Sequence, residues 1–68
     1  MATAASSRLA ALLGALSARE REVLSRRYGL GRAEQSLAEV GRDLGVSRER
    51  ARQIEARALA KLSARMGR

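Results

Sequence analysis

Residues 36–54, SLAEVGRDLGVSRERARQI, constrain the fold of this chain more than any other stretch. Leu37, Val40 and Leu44 recur at i, i+3 and i+7, which marks one buried face of a helix. Ser36 with Glu39 three residues on is a capping box that starts this helix. Gly41 lies on the same face, and the missing side chain there lets a second helix approach closely. Gly45 suits the left-handed residue that ends a helix, and Val46 can then plug the core. Ser47 caps the helix that follows. That helix opens Arg48-Glu49-Arg50-Ala51-Arg52-Gln53, mostly long hydrogen-bonding side chains suited to base edges or phosphates. This is the grammar of a helix-turn-helix. A plain αα-hairpin with a solvated charged face is the bland alternative, but it does not require a basic excess beside a tight turn.

The rest of the chain reads as further helix. Leu9, Leu12, Leu13 and Leu16 fall at i, i+3, i+4 and i+7, an amphipathic helix either packed into the core or offering its leucines to a partner. Ser17 with Glu20 forms a second capping box, and residues 18–28, AREREVLSRRY, follow as helix until Gly29. Val23, Leu24 and Tyr28 supply its apolar side. Leu30 is expected to tuck back onto the core, as apolar residues after a C-terminal glycine often do. The last helix is expected from Arg48 to near Arg65, with Ala51, Ile54, Ala58, Leu59 and Leu62 inward and Ser63–Arg68 fraying. The expectation is an all-α domain of about four helices over residues 8–66, with residues 1–7 a disordered tail.

Charge and composition narrow the function. The formal net charge is +7, and residues 48–68 alone carry seven basic against two acidic groups. A basic face of this kind favours a polyanion. Tyr28 is the lone aromatic, and single-strand binders usually stack bases on several, so the pattern favours duplex DNA. No His or Cys is present, so the usual general base, thiol nucleophile and transition-metal ligands are missing. The seven carboxylates sit among arginines and read as helix-surface pairs. A non-enzymatic, cofactor-free and metal-free protein is expected. No apolar run approaches a membrane span and the N-terminus is no convincing signal peptide, so a cytoplasmic location is expected. A basic amphipathic helix over 48–65 lying on a membrane is disfavoured because its face has no Trp or Phe.

Two segments carry a resemblance to a known family. LSAREREVLSRRYGL and SLAEVGRDLGVSRERARQIEARALAKL together resemble the C-terminal domain, region 4, of primary-type bacterial sigma factors. The first segment alone is also similar to LuxR-type regulators, which lack the RERxRQIE helix. The resemblance implies duplex binding at the −35 promoter element and docking on the β flap of RNA polymerase. It also implies activators or anti-sigma proteins as further partners. Carried over by position, Arg48, Glu49 and Gln53 match base-reading residues. Arg50 and Arg52 match residues near the DNA backbone, while Arg19, Arg27, Ser36 and Leu37 match phosphate contacts, Leu37 through its backbone N–H at a helix start. Ala51 stands where the family usually has Ile or Val, which suggests an under-filled core with room beside Gly41. Ala60 and Ser63 stand where basic residues that meet activators are frequent.

Overall fold

The computed structural model describes residues 13–66. Among them are three helices, α1 (Ala18–Tyr28), α2 (Leu37–Leu44) and α3 (Arg48–Met66), and no strand. The expected tail and most of the expected helix over 9–16 lie outside the described residues. Leu13 and Gly14 are helical, and Leu16 is buried.

Each of the first two helices begins with the anticipated capping box. The Ser17 hydroxyl accepts from the Glu20 amide at 3.1 Å, and the Glu20 carboxylate accepts from the Ser17 amide at 2.9 Å. Ser36 and Glu39 repeat the arrangement at 3.1 and 2.7 Å. These bonds satisfy amides that a helix start otherwise leaves without partners. Gly29 and Gly45 close the two helices in the left-handed region, at φ 66° and 73°. For α3 the Ser47 hydroxyl accepts from the Arg50 amide at 2.9 Å.

The three helices pack through two adjoining clusters. Val23 of α1, Val40 of α2, and Ala51 and Ile54 of α3 form the first, edged by Leu37, Leu44 and Val46. Leu16, Leu24 and Ala58 form the second, with Leu13 and Leu62 packed against it. Helix α3 contributes to both and is the spine of the domain. Leu62 gives its C-terminal half something to pack on, so residues 63–66 are helical rather than frayed.

Four readings of the sequence change. The close neighbours of Gly41 are the turn backbone at Val46 and the Ser47 cap, so it is the start of α3, not its body, that approaches. A Cβ on Gly41 would stand 2.7 Å from the Val46 carbonyl oxygen and 3.1 Å from that of Ser47. The space at Gly41 is therefore occupied, and it is not spare room beside Ala51, which is itself fully buried. Leu30 does not tuck in. Its amide donates to the Ser25 carbonyl at 3.0 Å and its carbonyl accepts from the Ser25 hydroxyl, so the backbone is held while the side chain stays exposed. Tyr28 and Leu59 are likewise exposed, because the apolar stripes of α1 and α3 are wider than the seam they share. Finally, two carboxylates are not surface groups. Glu20 and Glu55 are buried, at 5% and 8% exposure, each paired across helices.

Candidate nucleic-acid interface

Helix α3 separates its two faces cleanly. Ala51, Ile54, Glu55 and Ala58 are buried, whereas Arg48, Glu49, Arg52, Gln53 and Ala56 are exposed. Helical geometry places residues three and four apart on one face, so Arg48, Glu49, Arg52 and Gln53 form a single outward patch on the first two turns. The three residues expected to read bases, Arg48, Glu49 and Gln53, are thus brought together. The Ser47 cap and the packed α2 hold the start of this helix, so the patch is presented from a fixed base.

Within the patch the side chains already interact. Arg52 grips Glu49 with two bonds, Nε to Oε1 at 2.9 Å and Nη2 to Oε2 at 2.6 Å. Gln53 Nε2 approaches the same carboxylate at 3.4 Å. The Arg52 bond holds the Glu49 carboxyl below the usual carboxylate range, and Glu49 pushes the Arg52 guanidinium up in turn. Among the described residues Arg48 and Arg50 enter no ion pair, so their charge is available.

The expected backbone-contact residues fall into two groups. Arg19 of α1 and Arg50 of α3 line one recess together with Ser17, Glu20, Ile54 and Arg57. Arg19 is exposed and reaches the Leu44 carbonyl with a long 3.4 Å bond. Arg57 was not anticipated from the sequence. The available signal was its spacing, since it follows Arg50 by seven residues and so shares its side of α3. Arg27, Ser36 and Leu37 make the second group, around the start of α2. Arg27 is half-buried, with Nε donating to Glu55 at 3.1 Å and Nη1 donating to the Gln35 carbonyl at 3.1 Å, and its guanidinium lies over the Tyr28 ring at 5.6 Å. Leu37 is the first residue of α2, where backbone amides point out of the helix end.

A polar network behind this second group holds it in place. Arg26 donates to Glu22 at 2.6 Å, to Gln35 at 3.2 Å and to Asp43 at 3.0 Å, and Gln35 donates to Asp43 at 2.8 Å. It ties α1, the connecting loop and α2 into one unit. Arg32 adds a bond to Glu22 at 3.0 Å.

A domain built from capped short helices, with a helix-turn-helix at its centre and an exposed face rich in arginine, also has counterparts among known proteins. Residues 12–64 match the family described as sigma-70, region 4. The chain belongs to the sigma-70 region 4 family. That family is one of DNA-binding domains, and the all-helical architecture with its helix-turn-helix agrees with it. The region 4 chain is similar to RNA polymerase sigma factor SigA4 of Synechococcus elongatus, 61% identical over 51 residues, covering 74% of this chain and 16% of that protein. It is similar to the RNA polymerase sigma-C factor of Nostoc sp., 56% identical over 52 residues, covering 75% and 12%. It is also similar to the chloroplastic RNA polymerase sigma factor sigF of Arabidopsis thaliana, 45% identical over 56 residues, covering 81% and 10%. The chain thus spans only a small share of the length of these relatives. Among the described residues, no helix is long and apolar enough to cross a membrane.

Proposed function

We propose that this region 4 domain binds duplex DNA at a −35-like promoter element and so serves transcription initiation. One observation carries the reading: Arg48, Glu49 and Gln53 project together from the capped start of a helix whose other face is locked in the core. An α-helix fits the major groove, and residues near the N-terminus of a recognition helix reach base edges there. The Arg48 fork fits guanine O6 and N7. Glu49 accepts from cytosine N4. Gln53 can pair both groups on the adenine edge. Together they suit a TTGAC-like duplex. Arg19, Arg50 and Arg52, with Arg27 and the Ser36–Leu37 helix start, supply phosphate contacts that position the helix.

The printed names of the relatives, all RNA polymerase sigma factors, support RNA polymerase core as a partner, with the β flap as the docking site. Activators and anti-sigma proteins are further candidate partners. The domain, taken as residues 8–66, acts as a non-enzymatic binding module of the cytoplasm that works without cofactor or metal. A second reading, in which protein contact dominates and DNA contact is secondary, is favoured by the exposed apolar side chains of Tyr28, Leu30 and Leu59. Selection from a random duplex pool, followed by sequencing of the retained molecules, tests the first reading. Enrichment of a TTGAC-like element supports it, and recovery of unenriched sequence refutes it.

A further inference from the structure

The grip of Arg52 on Glu49 joins a residue assigned to base reading with one assigned to the backbone. We propose that Glu49 withholds Arg52 from the DNA backbone until a cytosine N4 amino group replaces Arg52 as its donor, so that base identity controls a phosphate contact. The inference rests on the duplex-reading function proposed above.

The argument follows from what each group can exchange. Both side chains are more than half exposed, at 55% and 60%, so the pair is weak and reorganises easily in water. A guanidinium fork fits phosphate as well as carboxylate, so approaching DNA offers Arg52 an alternative anion. Glu49 has no such freedom. Ionised, it can only accept hydrogen bonds, and the groove surrounds it with phosphates of like charge. At a pair without a donor in reach, releasing Arg52 leaves the carboxylate facing base acceptors in a partly dehydrated groove. That costs more than the new phosphate contact returns, so Arg52 stays with Glu49. Where cytosine N4 is in reach, its amino group takes over the vacated acceptor position and Arg52 moves to a phosphate. Gln53, already 3.4 Å from Glu49, is positioned to keep the carboxylate aimed during the exchange. Arg50, without an ion partner among the described residues, is free to contact phosphate on any sequence.

The distinguishing property is a salt dependence that changes with sequence. Each phosphate neutralised adds about −0.9 to the slope of log affinity against log salt. The test is fluorescence anisotropy with the 68-residue chain on the selected element and on duplexes in which each G·C pair is replaced in turn by A·T. The expected result for the native chain is a slope shallower by about one unit on the one duplex that loses the Glu49 contact. Glu49→Gln removes the charge that holds Arg52, so both duplexes then show the steeper slope, and the substituted duplex is bound roughly two- to fivefold more tightly than by the native chain. Arg52→Ala gives the shallower slope on both. Neither substitution touches the core, and an unchanged melting curve confirms it. A clear base preference with equal slopes on every duplex overturns the proposed exchange while leaving DNA reading intact. No preference among the duplexes overturns the DNA-reading function itself.

Discussion

Lys61 Nζ donates to Glu20 Oε1 at 2.9 Å, across 41 residues of sequence, and Glu20 is the same carboxylate that caps α1 through Ser17. One buried acid therefore caps the start of one helix and fastens it to another. The Ser17 amide holds its carboxyl below the ordinary value of 4.5, and Lys61 lowers it further against the opposing effect of burial. A carboxyl lowered by folding stabilises the folded state above its unfolded pKa, and that contribution is lost as pH falls through the folded value. The melting temperature is expected to be insensitive to this group near neutrality and to drop below pH 4.5. Glu20→Gln should lower the melting temperature at pH 7 and flatten the fall below pH 4.5, as measured by circular dichroism at a series of pH values.

Gly41→Ala should destabilise the domain. The added Cβ would lie 2.7 Å from the Val46 carbonyl oxygen, a backbone atom that cannot swing aside. The gain in helix propensity, about 1 kcal/mol, opposes this. Displacing a turn that itself bonds back to α2 through Val46 N–H and the Gly41 carbonyl, at 2.8 Å, outweighs it. A net loss of about 1–3 kcal/mol is expected from urea denaturation. A gain would show that the turn yields without cost.

Arg27 and Arg19 should separate in stability although both are assigned to phosphate. Arg27 is half-buried and holds both Glu55 and the Gln35 carbonyl, so Arg27→Ala takes the cation away from a buried carboxylate and should cost about 1–3 kcal/mol. Arg19 is exposed with one long bond, so Arg19→Ala should stay within about 0.5 kcal/mol. Denaturant titration of the two variants side by side decides it, and equal losses would show that the Arg27–Glu55 pair contributes nothing.

Arg48→Ala should cost about 1–3 kcal/mol in binding to the selected element and far less on random duplex, because it removes a bidentate base contact. Arg50→Ala should weaken both duplexes alike, because a phosphate contact carries no sequence information. Anisotropy on matched and scrambled duplexes measures both. Indistinguishable behaviour of the two variants would mean that the helix binds charge without reading bases.

Much of this architecture was legible in the sequence, because the signals involved are local. A serine and a glutamate three residues apart cap a helix wherever they occur, so Ser17–Glu20 and Ser36–Glu39 could be placed without knowing the fold. Gly29 and Gly45 mark helix ends because a left-handed residue costs glycine nothing. Helical periodicity likewise separated Arg48, Glu49 and Gln53 from Ile54 and Ala58, since a 3.6-residue repeat assigns faces from spacing alone. What spacing cannot supply is which face meets which. Tertiary packing decided that Glu20 lies against Lys61, and Glu55 against Arg27, turning two carboxylates that look like surface partners into buried ties. It decided that the turn at Val46 and the Ser47 cap of α3, rather than the body of that helix, fill the space at Gly41. It left Leu30 exposed among the described residues, while the Ser25 bonds hold its backbone. It also placed Arg19 beside Arg50, far apart in the chain, since both line the same recess. Local hydrogen bonding and helical period belong to the sequence. The pairing of distant charges depends on distances that exist only once the three helices have packed.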